Sequence, residues 1–253
     1  MKDINLDKYL FVRQEDYAGY EHLLPEFKII KLTSVKDIGE TRACIIRYLI
    51  SKKIDWAFMF DDDISKVETL VDSPRGYISN RIASTPYLPP RIEQKALLLW
   101  HRIAQYHDLS ISSPMYRPFV RFSDPNTLYI NKKQPIQCVL IQTKDILAVG
   151  NYKSINLTGN EDLYILYQLM NQGKKIGVIS NIEYDCPAIG SGAGGCNAAE
   201  KDVDLKTRYY KYVQLFLNNV CGDPNKILVR RTKQGTVSIK FNWKSWEGEK
   251  ITL

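Results

Sequence analysis

The chain has 253 residues, of which 44% are hydrophobic and 25% charged, ordinary values for a globular protein able to bury a sizeable core. No apolar run reaches the roughly 18 residues that a membrane span requires. The opening MKDINLDKYLFV lacks the apolar stretch and small-residue cleavage site of a secretion signal, so the expectation is a soluble chain that stays in the cytoplasm.

Five scattered cysteines without a CxxC pair argue against a disulfide framework and for a reducing compartment. His22, His101 and His107 are the only histidines. All three fall in helical stretches, where core or surface roles are expected, so a His-rich metal site or a Ser-His-Asp triad has few candidates. The formal charge of +7 permits an anionic partner. Residues 226–246 carry basic side chains and no acidic one.

In chain order, KYLFVR (8–13) reads as a strand, QEDYAGYEHLL (14–24) has helical spacing, and FKIIKL (27–32) is a β-branched strand. A helix is predicted over 37–53, with Asp37 as its cap. IDWAFMFDDD (54–63) is an apolar strand that stops abruptly in acid. This alternation predicts parallel βαβ units, in which ligands gather at the carboxyl ends of the strands. SKVETLV is expected to begin a short helix, and the proline-containing stretch 72–90 reads as a loop. Further along, a helix is predicted over 91–108, strands at LSISS, NTLYIN and 136–143, a helix over 159–175 ending at Gly173, and a strand over 176–184. The glycine-rich stretch 186–202 reads as a loop, 208–220 as a helix, and ILVRRT-KQG-TVSIKFNW as a hairpin. The expected fold is a single α/β domain: a mainly parallel central sheet flanked by helices, then a C-terminal helix and hairpin.

Several segments carry chemistry. Asp61, Asp62 and Asp63 are adjacent carboxylates at a strand end, where mutual repulsion calls for a cation or solvent. In an extended backbone Asp61 and Asp63 share one face and Asp62 points away. Hard carboxylate oxygens of this kind suit Mg²⁺ or Mn²⁺. The bland alternative is a solvated turn. Gly159-Asn160-Glu161-Asp162 opens a helix: its carboxylates either cap the helix dipole or act as a general base. Gly39, Thr41 and Arg42, at the start of another helix, can meet a phosphate or a nucleobase edge, or merely cap. The run Gly190 to Cys196, with Gly194 and Gly195, allows close backbone approach to a ligand or closure over it. Cys186 and Cys196 read as structural thiols rather than zinc ligands. The basic hairpin with Phe241, Trp243 and Trp246 mixes cations and aromatics, as nucleic-acid surfaces do, or is a guarded sheet edge.

The order of these elements resembles the GT-A class of glycosyltransferases: a strand ending in Val12-Arg13, then IGETR, FMFDDDI and GNEDLYILYQLMNQGKKIG. More narrowly, IGETR before DDDI and the GSGAGGC loop are similar to the TET-associated glycosyltransferases of bacteriophages, which glycosylate hydroxymethylated pyrimidines in DNA. The resemblance covers roughly residues 8–200. It implies a Rossmann-like GT-A domain with a nucleotide-sugar half (1–64), an acceptor half (65–200) and a basic C-terminal part (201–253). It also implies an Asp-x-Asp pair, Asp61 and Asp63, binding Mn²⁺ or Mg²⁺ and the donor diphosphate. Asp63 would meet the metal directly, and Asp61 the donor ribose or the metal through water. Glu161 and Asp162 match the catalytic carboxylate motif, with Asp162 as the base of an inverting enzyme. Arg13, Gly39, Thr41, Arg42, Asp62, Gly194 and Gly195 would contact the donor. The family's late histidine ligand has no counterpart here, since no histidine follows His107. Asp185 or substrate oxygens would take its place.

The implied activity is transfer of a sugar from a nucleotide diphosphate sugar, such as a UDP-sugar, to a hydroxyl. The acceptor would be a hydroxymethylpyrimidine in DNA held by the basic C-terminal region, with no membrane partner. Alternatives are a glycan or small-molecule acceptor, a nucleotidyltransferase, or a nucleic-acid-binding domain without catalysis.

Overall fold

The structure is a computed structural model that describes residues 6–33, 35, 38–61, 63–70, 91–120, 123–135, 137–148, 161–186, 205–219, 223–231 and 237–253. Asp37, Asp62, the stretch 72–90, Gly159, Asn160, the glycine run with Gly194, Gly195 and Cys196, and the tip of the C-terminal hairpin lie outside them.

Strands β1 (Tyr9–Arg13) and β2 (Lys28–Leu32) pair in parallel as a two-stranded sheet, followed by helix α1 (Ile38–Ser51). The central sheet holds eight strands: β3 (Trp56–Phe60), β4 (Lys66–Thr69), β5 (Arg91–Ile92), β6 (Leu109–Tyr116), β7 (Thr127–Ile130), β8 (Cys138–Gln142), β9 (Lys175–Asp185) and β12 (Glu249–Thr252). Its main path runs β12-β7-β9-β6-β8-β3. The long β9 pairs with β7 through residues 177–179 and with β4 through residues 182–185. Helices α2 (Gln94–Tyr106), α3 (Arg117–Val120), α4 (Thr143–Ala148), α5 (Glu161–Asn171) and α6 (Leu205–Asn219) complete the α/β architecture with the hairpin β10 (Ile227–Arg231) and β11 (Val237–Phe241).

The central sheet is mixed. Among its described residues only β6–β9 and β4–β5 pair in parallel, and β3 lies antiparallel to β8 rather than beside β1 and β2. Strands buried on both faces have the same apolar composition in either orientation, so the sequence pattern could not separate the two arrangements. Two local expectations also fail. Residues 14–24 form short 3₁₀ turns instead of an α-helix, and SKVETLV supplies β4, whose Val67 is fully buried against β9. The remaining main helices, and the hairpin strands, fall where periodicity places them.

Side chains alternate across the sheet with the two-residue period of a strand. On β8, Leu140 packs with Trp100 and Ala96 of α2, whereas Ile141 packs with Leu166 and Leu169 of α5. Helices therefore cover both faces. Trp100 is fully buried and its indole N–H donates to Ser112 Oγ at 2.8 Å, which satisfies both polar groups inside the core. Gly173 ends α5 at φ 74°, a left-handed conformation that glycine adopts without penalty. Among the described residues, no helix is long and apolar enough to cross a membrane.

Candidate functional site

Three of the singled-out residues meet. Arg42, in the first turns of α1, donates through one terminal nitrogen to Asp61 at 3.1 Å. Its other terminal nitrogen lies 2.7 Å from Glu161 at the start of α5. The planar guanidinium can reach two carboxylates at once, which an ammonium cannot do with the same geometry. The side chains of Arg42 and Glu161 are only 16% and 10% exposed, so the pairing takes place largely away from water. Burial pushes the Glu161 carboxyl up to about 7; Arg42 opposes that rise, while Asp162 and Asp61 add to it. Burial works against the Arg42 charge too, yet Glu161, Asp61 and Asp162 more than offset it and hold the guanidinium charged.

Asp162 is half-buried beside this cluster. Its carboxylate accepts from the Leu163 amide at 2.8 Å and from Gln134 Nε2 at 3.4 Å. Gly39 is buried and Thr41 half-buried within α1. Arg13 is not drawn into the group: it ends β1 exposed, with Asp16 at 3.4 Å and Glu15 at 4.0 Å.

The acidic run behaves differently from an extended strand end. β3 stops at Phe60, and the Ile64 amide bonds back to the Asp61 carbonyl at 3.2 Å, closing a turn. The alternation argued from an extended backbone does not carry across this turn. Asp61 faces Arg42, and Asp63 is exposed. Asp185 sits close by in the chain path, its carbonyl accepting from the Ser65 amide at 2.9 Å, but its carboxylate pairs with Arg117 at 3.1 Å. Carboxylate oxygens suit a hard divalent cation. Among the described residues, however, no three His, Cys, Asp or Glu side chains come together to hold one. Any such ion would need phosphate or water oxygens to complete its sphere.

Sequence reasoning missed the residue that fixes this corner. Gln137 adopts φ 58°, an uncommon left-handed conformation for a non-glycine residue. Its carbonyl accepts from the Asp61 amide at 3.1 Å. Its side-chain oxygen accepts from Tyr184 Oη at 3.4 Å and Cys186 Sγ at 3.3 Å. Burial pushes the Cys186 thiol up to about 12 and the Tyr184 phenol well above its ordinary range, so both remain protonated donors. Cys186 is a free, buried thiol. Nothing in composition marks a glutamine for a left-handed conformation. Arg117 and Lys66, also unforeseen, surround the buried Glu183 at 3.8 and 3.3 Å.

The aromatic residues of the C-terminal region divide. Phe241 and Trp246 are buried and pack with Tyr167 and Phe216 of the core, so they serve folding. Trp243 is half-buried and lines a cleft of ≈ 380 Å³ together with Lys132, Lys133, Lys244 and Lys250. In comparisons with known proteins, no family model, no curated protein and no solved structure matches the chain.

Proposed function

We propose that the chain is a glycosyltransferase that moves a sugar from a nucleotide diphosphate sugar, such as a UDP-sugar, to a hydroxyl acceptor, with a hydroxymethylated pyrimidine in DNA as the favoured acceptor. One observation supports this above the others. The two acidic motifs, Asp61 at the end of β3 and Glu161 at the start of α5, meet on a single arginine. This convergence on a largely buried guanidinium is more than a dipole cap and a solvated turn require.

In this reading Asp63, with Asp61, would hold Mn²⁺ or Mg²⁺ together with donor phosphate oxygens. When bound, such an ion neutralises charge on the departing diphosphate. Arg42 keeps Asp61 and Glu161 in place and lends positive charge to the donor side. Asp162, oriented by Gln134 and the Leu163 amide, is the carboxylate placed to orient or deprotonate the acceptor hydroxyl. The atom balance is simple: the acceptor oxygen bonds to the anomeric carbon, its proton passes to the carboxylate, and the nucleoside diphosphate leaves with the bonding pair.

The test is a donor screen with Mn²⁺, using hydroxymethylpyrimidine-containing DNA, unmodified DNA and free glycans as acceptors. Transfer only to the modified DNA supports the full reading. Transfer to a glycan alone keeps the reaction and replaces the acceptor. A second reading, nucleic-acid binding without catalysis, draws on the lysine-lined cleft beside Trp243. It would be preferred if DNA binds while no nucleotide sugar changes the melting temperature with or without Mn²⁺.

A further inference from the structure

The cleft beside Trp243 is built from parts far apart in sequence. One wall is the segment after β7, where Asn131 adopts φ 51° and exchanges two hydrogen bonds with Ile176 of β9, at 2.9 and 3.0 Å. These bonds fix the segment that presents Lys132 and Lys133. The other wall is the turn carrying Trp243 and Lys244, which leads into β12 and Lys250. Gly248 closes the two together. A Cβ there would lie 2.7 Å from the carbonyl oxygens of Ile130 and Asn131 and 3.0 Å from Lys132 Cγ. Only glycine allows the backbones this near.

Four lysines line the cleft against one carboxylate, Asp124. Lys250 reaches Asp124 at 2.7 Å, an exposed pair that solvent screens. Lys133 instead donates to the neutral Ser123 hydroxyl at 2.6 Å and lies 4.1 Å over the Tyr129 ring. Burial lowers the Lys133 ammonium from its ordinary value; Asp124 opposes that fall and Lys250 adds to it. Cations crowded in this way are relieved by an incoming anion. Trp243 adds a half-buried indole to the same wall. Trp243 packs on Phe241, with ring centroids 4.9 Å apart, at the edge of the core, and lysines gathered beside an aromatic ring are the combination that holds a phosphodiester strand while a base stacks.

We infer that this cleft binds a single strand of DNA, its phosphates on Lys132, Lys133, Lys244 and Lys250 and a base against Trp243. This deepens the reading above by giving the acceptor strand a surface, in place of the hairpin β10–β11. The segment that presents Lys133 continues directly to Gln134, whose amide reaches Asp162. A strand in the cleft is thereby linked, through one residue, to the carboxylate proposed to meet the acceptor.

The experiment measures fluorescence anisotropy of a labelled single-stranded 12-mer oligodeoxynucleotide with the full chain, without donor or Mn²⁺, between 50 and 200 mM salt. The double variant Lys132→Ala/Lys244→Ala should weaken binding about tenfold or more and flatten the log–log salt slope by about 1.4, since each lost phosphate contact removes about 0.7. Lys244→Ala alone, on an exposed turn, should give half that flattening whether or not the double variant folds. Arg230→Ala/Lys240→Ala on the hairpin should leave affinity and slope unchanged. The inference is overturned if the wild type does not bind, if the hairpin variant weakens binding while the cleft variants do not, or if a duplex or an RNA 12-mer binds more tightly. Because no sugar is transferred in this assay, loss of binding beside intact transfer to a free nucleoside rejects the cleft alone. Binding without any transfer rejects the enzymatic reading alone.

Discussion

Arg42 and Glu161 meet at 2.7 Å, one in the first turns of α1 and the other at the first residue of α5, both almost withdrawn from water. The same guanidinium carries Asp61 at 3.1 Å. A buried cation between two carboxylates is costly to break, because whichever group remains has lost solvent and partner together.

Replacing Arg42 with alanine should therefore destabilise the fold by about 3–5 kcal/mol, the usual penalty for removing one member of a buried pair. Arg42→Lys keeps the charge but not the two-sided reach, and should fall between the alanine variant and the wild type. Urea unfolding of the three proteins measures this. Equal midpoints for wild type and Arg42→Ala would show that the cluster contributes nothing to stability.

The protonation of Glu161 makes stability depend on pH. Its folded value of about 7 lies above the ordinary 4.5, so the folded state binds this proton more tightly than the unfolded chain does. The associated stability is fully present below about pH 4.5 and is lost as pH rises through about 7. Glu161→Gln mimics the protonated carboxyl and lacks that loss. Melting temperatures between pH 4.5 and 8 should show the wild type falling relative to Glu161→Gln. A constant difference across the window would contradict the raised value.

If Asp63 holds the cation of a donor complex, Asp63→Ala should lower Mn²⁺-dependent transfer and donor hydrolysis about 100-fold or more. Because the residue is exposed, its melting temperature should stay near that of the wild type. Full activity in this variant would remove the acidic run from the reaction.

Gly248→Ala should cost about 1–3 kcal/mol, the usual range for forcing extra volume into a packed contact. The clash is with the backbone carbonyls of Ile130 and Asn131, which cannot rotate aside as a side chain would. The strain should separate the Lys132 wall from the Trp243 wall. Thermal unfolding reads the first effect, and the oligonucleotide anisotropy titration the second.

Local pattern and tertiary pairing contributed different things. Helical periodicity located α1, α2, α5 and α6, and apolar runs located β3, β6, β8 and β9, because burial of one face or both leaves its period in the sequence itself. Arg42, Asp61, Glu161 and Asp162 could be singled out for the same local reason: each sits at the end of such an element. What the chain alone could not reveal is which strand lies beside which. Strands buried on both faces look alike in either orientation, so the mixed sheet, with β3 antiparallel to β8, follows only from long-range hydrogen bonding. The turn at Asp61 to Ile64 likewise overrode the expected alternation of Asp61 and Asp63. Gln137 in its left-handed conformation, and the cleft closed by Gly248, depend on backbones distant in sequence passing within contact distance. The sequence by itself determined most of the elements and their acidic ends; only the tertiary structure decided that Arg42 joins two of those ends, because that contact depends on the start of α1, the end of β3 and the start of α5 being brought together from distant parts of the chain.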